Sequence, residues 1–262
     1  MRIGKQDRPY SAISTSDRER IVVRGKDLCA DVIGKTDFTS YFWLLVTGVE
    51  PSPVQKIFAD AVLTAIAEHG LVPSVVAARM TYAAAPEALQ GAVAAGLLGC
   101  GSVVLGSAEA SGRFLTLCLE ASARDGVSQR DAAMAAVAAL RAEKQSVPGF
   151  GHPLHENGDP RANLLLRMAD EHGVSGRHVA MLHTIRDVLP EVLARVLPIN
   201  VNGAIPAVML DVGFPLGALK GLSLLARTAS LIAHLQEESE RPIGFIMSGK
   251  AAAAIAYDGP EG

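Results

Sequence analysis

Apolar residues recur at helical spacing through most of this chain, and that pattern limits its possible folds more than any other feature. Residues 54–68, for example, show helical spacing in Ile57, Ala61, Leu63 and Ile66. Almost nothing alternates with period two beyond residues 20–24, and no repeat of about 20–50 residues is present. The sequence therefore predicts a mainly α architecture.

Glycine and capping residues divide the chain into predicted helices. Gly70, Gly126 and Gly173 each follow a helical segment, and Ser128 with Asp131 suits the start of another. A strand is predicted at 20–24 after an N-terminal arm, and a polar loop at 197–203. The approximate helical segments are 26 onward, 54–68, 74–82, a long apolar one from 86, 111–123, 128–145, 162–171, 175–196, 205–210 and 216–238.

Composition limits the class of protein. The chain has 262 residues, 49% hydrophobic and 19% charged, enough to bury a sizeable core in one large domain or two modest ones. The net charge is −3 and no lysine/arginine stripe is present, so no nucleic-acid partner is expected. Cys29, Cys100 and Cys118 form no CxxC pair and fit reduced thiols in the cytoplasm. Residues 1–20 contain no apolar stretch typical of a secretion signal.

The uncharged run 88–108 is long enough to span a bilayer. It contains five glycines together with Gln90, Ser102 and Ser107. This composition is more typical of a small-residue helix that is buried against other helices and followed by a loop. Membrane insertion is the alternative, and no membrane partner is expected.

The densest run of chemically distinctive residues is VPGFGHPLHENGDPR, residues 147–161. Three glycines and three prolines exclude a regular helix here and predict a shaped loop. Glycines allow positive φ and close approach of the backbone to a ligand. His152 can exchange a proton near neutral pH, and Arg161 suits bidentate capture of a carboxylate or phosphate. A connector whose polar residues only cap and turn the chain is the simpler alternative.

Two other kinds of site find little support in the sequence. His152, His155 and Asp159 resemble a set of metal ligands, but Pro153 keeps the two histidines off one helical face, and no other cluster completes a shell. No metal is therefore expected. The chain also has no G-x-S-x-G segment, so a hydrolase triad has no anchor.

The segment PGFGHPLHENGDPRA, residues 148–162, strongly resembles the signature loop of the citrate synthase family. Further segments resemble that family in the same order, over roughly residues 22–259. The nearest resemblance is to a short branch described as citryl-CoA lyase-like. The matching segments are 23–25 with 31–35, 38 and 45–48; 69–70 with 73, 74 and 79; 197–201; 225–227 with 234 and 237; and 241–242.

The resemblance implies an all-α fold, namely the citrate synthase-like two-domain helical fold with an inserted small domain. The large, dimer-forming domain would comprise residues 1–106 and 207–262, and the small domain residues 107–206. The active site would lie in the cleft between the domains of a homodimer. Members of the family join acetyl-CoA to oxaloacetate, or act as lyases that run the carbon–carbon cleavage. Coenzyme A would enter as part of the substrate, with no separate cofactor.

Residue roles carry over from the family position by position. His152 matches the histidine that polarises the keto-acid carbonyl, and His69 matches one that contacts the keto acid. Arg161 and Arg227 match arginines that bind its carboxylates. Arg241 matches the arginine that reaches into the partner's site, which implies an active site shared across the dimer. The loop residues Gly149, Phe150 and Gly151 are expected to bind coenzyme A.

Two positions depart from the family pattern. Residues 105–108 read LGSA where the family has HGGA, so Leu105 replaces the histidine that holds the thioester enolate. The family's aspartate base aligns with Asn202. Leucine can neither donate a hydrogen bond nor take a proton, and an asparagine amide can donate but is no base. Loss of one positioned donor typically lowers a rate by on the order of 10²–10³. Standard citrate synthesis is therefore expected to be weak.

Cleavage of a citryl-type thioester makes a partly different demand. A base must take the proton of the tertiary hydroxyl, which His152 could do. The departing enolate needs other donors, and Asn202, Ser107 and backbone N–H groups are the candidates. Glu109 is the nearest replacement acid, although an exposed residue in the first turn of a helix is its simpler interpretation.

Three functions remain open on the sequence alone. The leading hypothesis is a lyase that cleaves a citryl-CoA-like thioester to acetyl-CoA and oxaloacetate, because the matched carboxylate-binding residues are retained. The second is a citrate synthase-type acyltransferase or lyase for a different acyl-CoA, since Leu105 makes one corner of the pocket less polar. The third is a non-catalytic protein that binds a carboxylate or acyl-CoA, since Leu105 and Asn202 replace the usual histidine and aspartate.

Overall fold

The computed structural model describes residues 9–101, 105–151 and 158–260. Within these residues helices dominate and the only sheet has three short strands, so the predicted all-α class is confirmed. The strands are β1 (Ser14–Ser16), β2 (Ile21–Val23) and β3 (Lys26–Asp27). The helices are α1 (Phe38–Thr47), α2 (Pro53–Ala67), α3 (Pro73–Ala84), α4 (Leu89–Leu98), α5 (Ser107–Asp125), α6 (Gln129–Ala142), α7 (Pro160–Glu171), α8 (Arg177–Leu193), α9 (Val201–Asp211), α10 (Leu219–Glu240) and α11 (Gly244–Ala254).

The chain divides into two compact units, residues 1–60 and 61–262. In the first, β2 pairs antiparallel with β1 and β3, and the β2–β3 turn has positive φ at Arg24 and Gly25. The Arg24 guanidinium donates from Nε to the carbonyl of Leu45 at 3.1 Å, which ties the sheet to α1. The strand predicted at 20–24 is confirmed. The helix predicted from residue 26 is wrong at its start, because β3 and a π-helical turn (Leu28–Val32) come first.

In the second unit, α10 packs on α3 and α4, and α11 packs on α3. Val75, Ala78, Ala92, Leu231 and Leu235 form the core between α3, α4 and α10. The predicted helix in the run 88–108 is α4, whose ten residues span about 15 Å and are too short to cross a bilayer. In the described residues the stretch Leu216–Glu240 is long and apolar enough to do so by length and composition alone, a test that a buried core helix also passes.

A buried ion pair joins α3 to the end of α10. The side chain of Arg79 is 2% exposed and donates from Nε to Glu238 at 2.7 Å and from Nη1 to Glu237 at 2.8 Å. The other oxygen of Glu238 accepts the backbone N–H groups of Ile243 and Gly244, at 2.9 and 2.6 Å. Glu238 therefore satisfies a buried cation and also fixes the turn into α11.

Among the helices α5 to α9, helix α9 is central, because it packs against α5, α7 and α8. Its last residue, Asp211, caps α8 by accepting N–H groups of Gly176, His178 and Val179 and Nδ1 of His178. Burial favours a raised pKa for Asp211, but these hydrogen bonds outweigh it and lower the pKa. The helix predicted at 175–196 begins at Arg177, and the hydroxyl of Ser175 donates to Asp170 in the last turn of α7. The division into a large domain and an inserted small domain stays a prediction.

All three cysteines are free thiols. Cys29 is exposed, whereas Cys100 and Cys118 are buried. Burial raises the pKa of Cys118 to about 11. This thiol is therefore protonated and unreactive at neutral pH. The cytoplasmic location stays a prediction.

Candidate active site

A cavity of about 760 Å³ lies within the second unit, and most of the predicted site residues line it. They come from six separate segments of the sequence and meet only in the folded chain. Those that line the cavity are His69, Leu105, Ser107, Gly149, Phe150, Gly151, Arg161, Asn202 and Arg227. Glu109 and Arg241 are not among the lining residues, and His152 lies outside the described residues.

The N-termini of four helices open onto this cavity. Residues of the cap or first turn line it in α3 (Val72), α5 (Ser107), α7 (Arg161) and α9 (Asn202). Within the described ranges, no side-chain hydrogen bond caps α3 or α5. The first N–H groups of a helix have no partner within it, and its N-terminus carries a partial positive charge. The cavity is therefore suited to an anionic ligand.

The glycine loop is held against the start of α9 by main-chain pairing. The N–H of Asn200 donates to the carbonyl of Gly149 at 3.0 Å, and the N–H of Gly151 donates to that of Pro198 at 2.8 Å. Gly149 has a φ of +89°, and a Cβ added to Gly203 would lie 2.5 Å from the Gly149 carbonyl oxygen. The loop glycines were expected to let the backbone approach a ligand closely. In the structure, Gly149 also approaches the backbone of α9 closely.

Asn200 explains why α9 begins earlier than predicted. Its side-chain oxygen accepts the N–H of Asn202 at 3.0 Å and its Nδ2 donates to the carbonyl of Gly151 at 2.7 Å. The predicted polar loop 197–203 therefore ends at residue 200, and Asn202 lies in the first turn of a helix. Asparagine is a preferred cap, so the residue type was the available signal.

Asp159 is a site residue that sequence reasoning noted only as an unlikely metal ligand. It is fully buried, caps α7, and accepts the N–H and Nε of Arg161 at 3.0 and 3.1 Å and Nη2 at 3.0 Å. It also accepts the N–H of Val201 at 2.9 Å, which joins the loop to α9. Burial favours a raised pKa for Asp159, but the bonds from Arg161 and Val201 outweigh it and lower the pKa. Asp159 therefore stays ionised and fixes the direction of the Arg161 guanidinium.

Arg227 is a buried cation with an unused donor. It is 2% exposed, its Nη1 donates to Ser230 at 3.3 Å, and its Nε has no hydrogen-bond partner in the described part of the chain. Burial lowers the pKa of Arg227, but an arginine remains charged at neutral pH. A buried donor left unpaired costs about 1–3 kcal/mol. Because Arg227 lines the cavity, an anion bound there would supply the missing partner.

Glu68 supports both Arg227 and the turn that carries His69. Its carboxylate accepts the hydroxyl of Ser230, the N–H of Gly70 and, at 3.0 Å, Nε2 of His234. Burial favours a raised pKa for Glu68, but the bonds from Ser230 and His234 outweigh it and lower the pKa. No sequence pattern indicated the role of Glu68, because Ser230 and His234 lie 162 and 166 residues away from it.

Leu105 and Asn202, the two departures from the family pattern, both line the cavity. Leu105 has a φ of +65°, a left-handed conformation that is strained for a leucine. The hydroxyl oxygen of Ser107 is buried and has no hydrogen-bond partner among the described residues. Glu109, in the first turn of α5, forms an ion pair with Arg113 at 2.6 Å. Its role as a replacement acid stays a prediction.

A second, smaller cavity of about 350 Å³ shares a wall with the first. Both are lined by Gln145, Ser146, Val147, Phe150 and Gly151. The second cavity also has three basic residues in its lining, Arg141, Lys144 and Arg195. The glycine loop therefore lies between the first cavity, which is lined by residues at helix N-termini, and the second cavity, which is lined by basic residues.

The model of the citrate synthase C-terminal domain matches residues 12–244. The chain belongs to the citrate synthase family. Among solved structures, this family member is similar to citryl-CoA lyase from Hydrogenobacter thermophilus, with a TM-score of 0.80 and 25% identity over 97% of this chain and 95% of the other. Comparison with curated proteins found no match.

Two more distant structures share the fold with this citrate synthase family member. ATP citrate lyase from Methanothrix soehngenii, in complex with citrate and coenzyme A, has a TM-score of 0.77 and 22% identity over 99% of this chain and 43% of its own. Citrate synthase from Thermoplasma acidophilum, in a ternary complex with carboxymethyl coenzyme A and oxaloacetate, has 0.64 and 18% over 78% and 54%.

Two expectations for this family member stay predictions. Arg241 ends α10 and is exposed, and its backbone carbonyl accepts Nη2 of Arg79 at 3.4 Å. Its reach into a partner's site is untested. The described residues contain no group of three or more His, Cys, Asp or Glu that could hold a metal ion, but His152 and His155 lie outside them.

Proposed function

We propose that this protein is a citryl-CoA lyase-like carbon–carbon lyase, which cleaves a citryl-CoA-like thioester to acetyl-CoA and oxaloacetate. The observation that carries the proposal is a cavity lined by residues at four helix N-termini and by Arg227, whose Nε has no partner among the described residues, because this lining suits an anion. The similarity to a citryl-CoA lyase of nearly equal length supports the choice of reaction.

The substrate carries several carboxylates, and the described residues fit their capture. Asp159 orients the Arg161 guanidinium, and Arg227 lines the cavity with an Nε that has no partner among the described residues, so the two guanidinium groups are assigned to carboxylates. His69, on the turn braced by Glu68, is assigned to the keto-acid portion. Asn202, in the first turn of α9, offers an amide donor.

The proposed reaction is a retro-aldol cleavage that balances without a further reactant. A base, assigned to His152, takes the proton of the tertiary hydroxyl while the carbonyl of oxaloacetate forms. The electron pair of the broken carbon–carbon bond passes to the thioester as an enolate, which then takes a proton at carbon to give acetyl-CoA. Neither metal nor separate cofactor is proposed, because coenzyme A arrives as part of the substrate.

The second cavity supports an acyl-CoA substrate. Arg141, Lys144 and Arg195 are suited to phosphate groups such as those of coenzyme A. They lie across the loop Gly149–Phe150–Gly151 from the carboxylate-binding residues. This arrangement favours a ligand with carboxylates at one end and phosphates at the other, held by the loop between them.

Arg227→Met is expected to lower kcat/KM for citryl-CoA cleavage by on the order of 10–10², because a charge-assisted bond to a carboxylate is lost. The melting temperature should change little, since no carboxylate forms a direct ion pair with this guanidinium in the described residues and its one hydrogen bond to a side chain, to Ser230, is 3.3 Å long. Oxaloacetate release is followed with malate dehydrogenase as the coupling enzyme. Arg167→Met, which changes an exposed arginine of α7, is the control. Equal rates for the two variants would remove Arg227 from the site.

A synthase or lyase for a different acyl-CoA is the second candidate, favoured by the apolar side chain of Leu105 in the wall of the cavity. No release of oxaloacetate by the unaltered protein, with turnover of another acyl-CoA, would favour it. Stabilisation by oxaloacetate or acyl-CoA without turnover of any thioester would favour a non-catalytic binding protein.

We propose a cytoplasmic homodimer whose active site is shared through Arg241. Exposed apolar side chains on α4 and α11, among them Leu98 at 87% and Phe245 at 72%, support burial against a second copy. Inactive Arg241→Ala and Arg227→Ala subunits, mixed after reversible dissociation, should regain activity, because a hybrid dimer contains one site with both arginines. No recovery in hybrids verified by mass spectrometry would contradict the shared site.

A further inference from the structure

We propose that the N-terminus of α5, with the hydroxyl of Ser107, holds the thioester enolate oxygen in place of the missing histidine. The inference rests on the proposed function and deepens it, because it names the donors that the altered wall supplies. The side chain of Leu105 offers no hydrogen bond there, whereas Ser107 and Ala110, which follow it at the start of α5, line the same cavity.

The start of α5 has the groups that an enolate oxygen needs. The helix runs for 19 residues from Ser107, its cap Gly106 makes no side-chain hydrogen bond, and Ser107 and Ala110 line the cavity. The first N–H groups therefore lack intrahelical partners and lie at the positive end of the helix dipole. Backbone donors fixed in this way require little reorganisation when charge develops.

Ser107 adds a hydroxyl that the fold does not use. The residue lines the cavity, but its oxygen is closed off from solvent and has no partner among the described residues. A rotation about χ1 is the movement that turns a serine hydroxyl toward a ligand. A buried unpaired hydroxyl is costly to the fold, so a ligand that accepts its hydrogen bond recovers that cost.

Arg227 is independent evidence that the same cavity takes an anion. It belongs to α10 rather than α5 and is only 2% exposed. Its Nε has no hydrogen-bond partner among the described residues. In the proposed reaction its partner is a carboxylate that is present throughout. The N-terminus of α5 instead stabilises the negative charge of the enolate, which appears only when the carbon–carbon bond breaks. The two sites should therefore differ in kinetics, with Arg227 affecting binding and Ser107 affecting kcat.

The test compares Ser107→Ala with Ser74→Ala. Ser74 is a matched control because its hydroxyl is also buried and unpaired, but it does not line the cavity. Ser107→Ala is expected to lower kcat for citryl-CoA by about 10²-fold with little change in KM. Neither variant should lower the melting temperature. Ser74→Ala should keep the unaltered kcat, and equal kcat values in the two variants would overturn the inference.

Leu105→His provides a rescue, since histidine is tolerated at positive φ better than leucine and restores a donor. In the Ser107→Ala background it should raise kcat by about tenfold or more, because one donor replaces another. Failure to rescue, in a double variant that remains folded, would show that this wall does not hold the enolate.

A binding measurement separates this inference from the proposed function. The carboxylate of carboxymethyl coenzyme A imitates the charge of the enolate, whereas acetyl-CoA is neutral there. The protein should bind carboxymethyl coenzyme A more tightly, and Ser107→Ala should reduce that preference by about tenfold or more. If citryl-CoA is not cleaved, the lyase proposal fails. The preference for carboxymethyl coenzyme A over acetyl-CoA still tests whether the N-terminus of α5 binds an anion. No preference, or one that Ser107→Ala leaves unchanged, would overturn it.

Discussion

Glu238→Ala is expected to lower the free energy of unfolding by about 3–5 kcal/mol, because it removes the buried carboxylate that pairs with a buried cation. Arg79 is 2% exposed, and Glu238 is the buried partner of its Nε. The same change also unpairs the N–H groups of Ile243 and Gly244, which begin α11. Urea unfolding followed by circular dichroism measures the effect.

Glu240→Ala is the control for this prediction. Glu240 is exposed, ends the same helix, and accepts Nε2 of Gln236 at 2.8 Å. Its removal should change the free energy of unfolding by no more than about 0.5 kcal/mol. If the two variants unfold at the same urea concentration with equal slopes, the ion pair between Arg79 and Glu238 contributes nothing to stability.

Gly203→Ala is expected to destabilise the fold by about 1–3 kcal/mol and to reduce turnover by on the order of 10² or more. The added Cβ would lie 2.5 Å from the Gly149 carbonyl oxygen, and backbone cannot move away as a flexible side chain can. Relief of the contact requires the glycine loop and α9 to separate, which displaces Gly149 and Asn202 in the cavity wall. Thermal unfolding and the oxaloacetate assay measure the two effects.

Gly221→Ala is the matched control, because Gly221 also lies inside a helix but has nothing within 4 Å of an added Cβ. This change should stabilise the protein by about 0.4–1 kcal/mol, since alanine restricts the unfolded chain and favours a helix. If Gly203→Ala behaved in the same way and stayed active, the loop and α9 would not need their close approach.

Helical spacing predicted the positions of most helices, but their ends depend on contacts that spacing does not encode. The start of α9 is an example, since Asn200 caps the helix while its amide donates to the carbonyl of Gly151, 49 residues earlier. The cap of α8 comes from Asp211, 35 residues after Gly176. Local sequence cannot identify either partner.

The candidate site divides in a similar way. Resemblance to the family identified Arg161, Asn202 and Arg227, and the structure brings these residues to one cavity. The resemblance did not indicate the structural roles of Asp159 and Glu68, which act through other residues. Asp159 bonds Val201, 42 residues away, and Glu68 bonds Ser230, 162 residues away. Such partners become adjacent only when the chain folds.

The wall shared by the two cavities has a consequence for protein engineering. A substitution at one of the five shared positions, residues 145–147, 150 and 151, would reshape both cavities together, so it could not change the preference for one end of a long ligand alone. Residues that face one cavity only offer independent control: Arg195 and Leu197 on one side, Ala110 on the other. A library that varied these three positions and kept the shared wall fixed would separate selection for the two ends of the ligand.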